Sequence, residues 1–185
     1  MAEWIALIGV ALIVLYGIVI FNRLVSTRQL ANEAWSGIDV QLKRRADLVP
    51  NLVDTVKGYA SHERQLFEEV TKLRNEVRSL PAGDVAGRAK AESALSGLIG
   101  RLLALAEAYP DLKASTNFLE LQRELAKLED EIQMARRYYN GAVRNLNTLI
   151  ETVPSNIVAR LTGFTQRAYF ELTDAAERNV PRVQV

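Results

Sequence analysis

The chain begins with a long apolar run and continues with amphipathic stripes of helical period. Residues 4–21 carry no charge and no proline. As a helix with a rise of ~1.5 Å per residue, this run would measure ~27 Å, close to the ~30 Å hydrocarbon thickness of a bilayer. Because every side of that helix is apolar, the run predicts a single membrane span. The residues assigned to this span are Trp4, Ile5, Leu7, Ile8, Leu12, Leu15, Tyr16, Ile20 and Phe21.

Two other interpretations of the apolar run are disfavoured. A core helix of a soluble protein does not require aromatic residues toward its ends, where Trp4, Tyr16 and Phe21 stand as they would at membrane interfaces. A cleaved signal peptide needs a basic start and a small-residue cleavage site, and neither is present around residues 1–22.

Positive charge follows the run and does not precede it. Arg23 and Arg28 lie close after it, and residues 43–45 add three more basic side chains, whereas Glu3 precedes it. Excess Lys and Arg beside a span tends to remain in the cytoplasm. We therefore expect a very short N-terminus outside the membrane and a large C-terminal domain in the cytoplasm.

Apolar stripes with steps of three and four residues mark the rest of the chain. They predict helices over residues 23–49, 51–79, 85–108, 116–152 and 155–162. Asp84 and Ser115 or Thr116 are suitable N-caps, and Gly163 is a suitable helix stop. Long helices with short loops predict an all-α fold, an antiparallel four-helix bundle behind the membrane helix. The heptads of the fourth bundle helix also indicate coiled-coil packing.

Pro50 is the main interruption of this pattern. Proline lacks an amide donor and disfavours helical geometry at Val49, so residues 47–50 predict a helix stop and a new start at Asn51. A kink within one long helix is the competing arrangement. No glycine or proline separates the apolar run from the first bundle helix. The two segments can therefore form one continuous helix.

These patterns divide the chain into three predicted parts. Residues 1–22 are the anchor and residues 23–163 the helical bundle. Residues 164–185 are a tail, expected to be partly helical and then extended or disordered.

Composition argues against an enzyme. The net charge is +1, so no nucleic-acid partner is expected. The absence of cysteine excludes disulfides and thiolate chemistry, and His62 is the single histidine. Di-iron bundles need E-x-x-H pairs, and the phosphate-binding and nucleophile motifs are also missing. We therefore expect no catalytic residue, no cofactor and no metal site.

A basic triplet is a candidate lipid contact. Lys43, Arg44 and Arg45 can meet anionic headgroups if the bundle lies along the membrane. If the first helix stands upright, the triplet lies ~30 Å from the bilayer. Asp39 and Asp47 are near in sequence, so ion pairs are the simpler explanation.

A second polar cluster is a candidate interface. Arg136, Arg137, Tyr138 and Tyr139 are consecutive, and Tyr139 stands on the apolar stripe. Tyrosines beside arginines can line a protein interface. The simpler interpretation is that the rings pack internally with their hydroxyls at the rim.

Three blocks of residues carry a family resemblance. The first block comprises residues 34–36, 38–45, 47–53, 56–60 and 62–63. The second block comprises residues 117–118, 121–122, 124–125, 129, 132, 135–136 and 139–140. The third block comprises residues 154, 159 and 163–164. Over nearly the whole chain these blocks resemble the bacterial LemA family. Leu128 and Leu146 depart from it, standing where threonine and tyrosine are common.

The resemblance implies a single-pass inner-membrane protein with a cytoplasmic helical bundle and no catalytic residue. It also implies relatives tied to membrane remodelling, including magnetosome membranes, and others near membrane proteases. Our leading hypothesis is a membrane-anchored scaffold that binds lipid through its anchor, itself through the bundle, and an unidentified protein partner. The alternatives are a lipid-binding, membrane-shaping protein that uses basic helix faces, and an accessory of a membrane protease.

Overall fold

The computed structural model describes residues 1–81 and 83–171, and within these ranges the regular structure is entirely helical. The helices are α1 (Ala2–Lys57), α2 (Arg64–Ser79), α3 (Val85–Ala106), α4 (Pro110–Lys113), α5 (Thr116–Glu151) and α6 (Ser155–Leu161). The predicted all-α class is confirmed. Of the predicted tail, residues 164–171 are not helical, and the remainder lies outside the described residues.

The predicted helix stop at Pro50 is wrong. Helix α1 runs through Pro50 to Lys57, so the apolar run and the first bundle segment belong to one helix. Proline cannot donate to the carbonyl of Ala46, four residues earlier. The Nε of Arg74, on α2, donates to that oxygen instead at 2.7 Å. The carbonyl that proline leaves without a donor is thus satisfied from a neighbouring helix.

The actual break lies eight residues later, at residues 58–63. The predicted second helix is therefore too long, because its first part belongs to α1. Gly58, which is unfavourable within a helix, begins the break. The amide of Ala60 still donates to the carbonyl of Val56 at 2.9 Å, and the Ala60 side chain is buried.

Two predicted helix boundaries are confirmed by their hydrogen bonds. The Asp84 carboxylate caps α3 by accepting from the amide of Gly87 at 2.8 Å. Gly163, with φ of 74°, ends α6. There the amide of Phe164 donates to Ala159 and that of Gly163 to Arg160, the pairing of a Schellman motif. The short helix α4 was not predicted, although Pro110 stands at its start.

The chain forms two compact units, and both α1 and α5 contribute to each of them. The anchor unit comprises Met1–Ile38 and Ala135–Tyr169, and the core unit comprises Asp39–Met134 and, of the following described residues, 170–171.

The core unit contains an antiparallel helical bundle. Short connections at residues 58–63, 80–84 and 107–115 make successive long helices alternate in direction. Its core contains a buried apolar side chain from each of five helices, among them Leu52, Val70, Leu95, Leu112 and Leu125. Burial of these residues away from water is the main force that holds the helices together.

The anchor unit is built on an antiparallel pair of helical segments. Leu24 of α1 packs with Leu146 of α5, and further along α1 the ring of Trp35 meets the ring of Tyr139. The sequence number therefore rises on one segment as it falls on the other. Helix α6 and the non-helical residues 164–169 follow the end of α5.

Candidate functional site

Most of the apolar run of α1 is exposed in the described part of the chain. Among the described residues, one helix, α1, is long and apolar enough to cross a membrane. Only 6% of its most apolar 18-residue window is buried, which argues against a core helix. Side chains on all sides are exposed, among them Trp4, Leu7, Leu12 and Tyr16. Such a surface is suited to hydrocarbon and not to water.

The last residues of the apolar run contact protein. Ile20 is buried with Leu24, Leu146 and Ala159, and the ring of Phe21 meets that of Phe164 edge-on with centroids 6.2 Å apart. Side chains of α5 and α6 therefore cover Ile20, which the sequence assigns to the end of the span. The exposed apolar surface of α1 ends at this point.

A buried ion-pair network lies in the core unit. The guanidinium of Arg45 is fully buried, and its Nη2 lies 2.5 Å from Oε2 of Glu92, which is also fully buried. Its Nη1 donates to Oε1 of Glu129 at 2.5 Å and to the hydroxyl of Ser96 at 2.7 Å. Arg45 thus connects α1 to both α3 and α5.

A second arginine completes the network. Nη2 of Arg88 lies 2.9 Å from Oδ1 of Asp39, and its Nε is 3.5 Å from Oε1 of Glu92. Lys43 approaches the other oxygen of Asp39 at 2.6 Å. Every carboxylate in the network therefore has a basic neighbour.

The pKa of Arg45 follows from this environment. Burial by itself lowers the pKa of Arg45, and the carboxylates of Glu92 and Glu129 outweigh burial and raise it above its ordinary value. The guanidinium is therefore charged at every physiological pH. It offers no proton for acid–base chemistry.

A polar cluster in the anchor unit surrounds Tyr139. Its hydroxyl donates to the carbonyl of Ala168 at 3.0 Å. The side-chain amide of Asn147 pairs with the backbone of Arg167, with both hydrogen bonds at 2.9 Å. Burial raises the pKa of Tyr139, and the charge of Arg167 lowers it by less. These bonds hold residues 164–169 against α5.

The chemistry available at these clusters is structural. In the described part of the chain, no group of three His, Cys, Asp or Glu side chains is arranged to hold a metal ion. His62, the single histidine, is exposed. The hydrogen-bond networks around Arg45 and Tyr139 hold helices and the following segment in place. The exposed apolar face of α1 is the feature that indicates binding to other molecules.

A model of the LemA family matches residues 34–185. The chain belongs to the LemA family. The resemblance of the three sequence blocks is thereby confirmed.

Curated relatives within LemA are similar over most of this chain. Protein LemA of Metamycoplasma hominis is 28% identical over 153 residues, which cover 83% of this chain and 69% of the relative. Magnetosome protein MamQ 2 of Paramagnetospirillum magneticum is 25% identical over 181 residues, which cover 85% and 66%. Magnetosome protein MamQ of Magnetospirillum gryphiswaldense is 24% identical over 189 residues, which cover 89% and 70%. The alignments thus span about two thirds of each relative.

In this LemA chain the basic triplet does not form one surface. Lys43 and Arg44 are exposed and paired, with Asp39 and Glu131 respectively. Arg45 is fully buried, so its predicted role as a lipid contact is wrong. It lies on the apolar stripe of α1, and the carboxylates of Glu92 and Glu129 stabilise its charge there.

The second predicted cluster also divides. Arg137 and Tyr138 are exposed, Arg136 is half-buried, and Tyr139 is buried against Trp35. The simpler interpretation of Tyr139, internal packing, is the one that the structure supports. Its hydroxyl, however, bonds to the backbone and does not lie at a solvent rim.

Sequence reasoning missed the partners of Arg45. Glu92 lies in a helix rich in small residues, where one carboxylate looks like an ordinary surface charge. The position of Arg45 on an apolar stripe is the sequence feature that could have indicated these ion pairs. A buried arginine is stable only when carboxylates on facing helices pair with it.

Proposed function

We propose that this protein is a single-pass, membrane-anchored scaffold without enzymatic activity, which binds a protein partner or copies of itself through its helical bundle. The observation that carries the proposal is the exposed apolar surface of α1, continuous in one helix with a bundle segment. A bilayer covers the first part, and the second presents helix faces at the membrane.

The location is part of the same proposal. Arg23 and Arg28 follow the apolar run and are exposed. By the rule that basic flanks stay inside, the bundle lies in the cytoplasm of a bacterium and the N-terminus outside its inner membrane. Relatives named magnetosome proteins are consistent with a role in organising or remodelling a membrane.

Lipid binding through the basic triplet is less well supported. Arg45 is buried, and the exposed charges of Lys43 and Arg44 are matched by carboxylates. Little free positive charge is left there to attract anionic headgroups.

Site-specific photocrosslinking in native membranes tests the scaffold. A photoreactive phenylalanine analogue at the exposed Tyr138 samples the predicted interface, and the same analogue at the exposed Arg144 samples another face of α5. We expect adducts at position 138, either a dimer of this chain or a complex of defined mass, and fewer at 144. Absence of adducts at both positions, together with a monomer by native mass spectrometry, would contradict scaffolding.

A further inference from the structure

Helix α6 differs from an ordinary surface helix in which side chains it buries and which it exposes. It turns the small residues Ser155 and Ala159 inward, where both are buried. The large apolar residues Ile157 and Leu161 point outward and are 57% and 82% exposed. Val153, just before the helix, is 78% exposed. A step of four residues places Ile157 and Leu161 on one side of α6. Val153 lies in the turn before the helix, outside its period.

Solvent is an unfavourable environment for this face. Burying an aliphatic side chain away from water is favourable, and the described fold leaves Val153, Ile157 and Leu161 exposed. A short segment with small residues inside and large apolar residues outside fits a surface whose surroundings are themselves apolar.

The position of α6 identifies those surroundings. Ala159 packs against Ile20 and Leu24, the residues at which the exposed apolar surface of α1 ends. Phe164, just after α6, contacts Phe21 by its ring and lies under the guanidinium of Arg28, 4.8 Å from the ring centroid. Helix α6 therefore lies at the level where α1 would leave the hydrocarbon layer.

The charges near α6 fit the same location. Arg160 and Arg23 are both exposed. Their sequence neighbours Ala159 and Leu24 pack in one cluster, which brings α6 and α1 together at this point. Long basic side chains at such a boundary keep their stems in apolar surroundings and extend their charged ends to phosphate groups.

We propose that α6 lies in the interfacial layer of the same bilayer, with Val153, Ile157 and Leu161 in contact with acyl chains. The inference rests on the proposed anchoring by α1. A membrane contact of this kind would fix the tilt and rotation of the anchor unit, which a single span alone leaves free.

Spin labelling of the full chain in bilayers tests the proposal. The sequence has no cysteine, so each label reports one position. The test variants are Ile157→Cys and Leu161→Cys. Glu33→Cys is the matched control, since Glu33 lies in the same unit, is exposed, and is outside the proposed interface at residues 136–139. Leu12→Cys reports on the anchor. Each labelled protein is reconstituted into vesicles of phosphatidylethanolamine and phosphatidylglycerol, and its collision rates with oxygen and a water-soluble nickel chelate are measured.

We expect a ratio of oxygen to nickel collisions at positions 157 and 161 that is severalfold higher than at 33 and approaches that at 12. Ratios at 157 and 161 equal to that at 33, with a high ratio at 12, would overturn the inference and leave the anchor intact. Low collision rates with both reagents would mean that protein covers α6, which also overturns it. A low ratio at 12 would instead contradict the proposed anchoring, and this inference with it.

A second variant guards against a local change in fold. Val153→Cys lies outside α6 and does not depend on the packing of that helix. A lipid-exposed label there supports the proposal, and a water-exposed label, with position 12 in lipid, counts against it.

Discussion

The Nε of Arg74 donates to the carbonyl oxygen of Ala46 at 2.7 Å, on the turn of α1 that precedes Pro50. This bond replaces the amide donor that proline lacks. It explains how α1 continues through Pro50 to Lys57, where the local sequence predicts an end.

Arg74→Met is expected to lower the free energy of unfolding by about 1–3 kcal/mol, because a half-buried carbonyl loses its donor. Urea unfolding of the full chain in mild detergent, followed by circular dichroism, measures the change.

The same substitution in a Pro50→Ala background is the control. Alanine restores a backbone amide at position 50, which can donate to Ala46. In that background, Arg74→Met should lower the free energy of unfolding by clearly less than it does when Pro50 is present. An equal cost in both backgrounds would show that the contribution of Arg74 is unrelated to Pro50.

Arg45→Met is expected to destabilise the protein by about 3–5 kcal/mol, since it leaves the buried carboxylate of Glu92 without its main partner. Arg78→Met is the matched control, because Arg78 pairs with Asp47 where both side chains are exposed. A pair of that kind contributes about 0–1 kcal/mol. Similar losses for the two variants in thermal unfolding would contradict the assigned role of Arg45.

Stability near Tyr139 is expected to fall at high pH. Burial raises the pKa of Tyr139, so the folded state holds the phenolic proton more tightly than the unfolded state does. The stabilisation by the neutral hydroxyl is fully present below the unfolded pKa of about 10 and is lost as the pH rises through the folded pKa.

Tyr139→Phe should therefore be about 1 kcal/mol less stable than wild type at neutral pH, through loss of the bond to Ala168. That difference should shrink above pH ~10. Tyr138→Phe, at an exposed position, should show neither effect in denaturant titrations across this range. A Tyr139→Phe difference that is constant with pH would be inconsistent with a buried, neutral phenol.

Features set by a few neighbouring residues could be predicted from the sequence. The cap at Asp84 and the stop at Gly163 depend on bonds within one turn, and both are confirmed. The long apolar run likewise carries its own signal in length and composition.

Features that depend on another helix could not be predicted. Pro50 continues a helix because Arg74 is delivered to it by α2, and Arg45 is buried because α3 and α5 bring carboxylates to it. The local sequence indicates a helix end at Pro50 and a surface charge at Arg45. Contacts with other helices give the opposite result at both positions. The exposed face of α6 could be predicted only in part. Its apolar residues can be read from the sequence, but the packing of α6 beside Ile20 depends on the tertiary structure.

Alkaline carbonate extraction tests most directly the claim that α1 anchors this protein in a membrane. Membranes from cells that produce the full chain are washed, and the pellet and supernatant are probed, with a variant lacking residues 1–22 as control. The account predicts that the full chain stays in the pellet and that the shortened chain is released. Release of the intact full chain into the supernatant would contradict it.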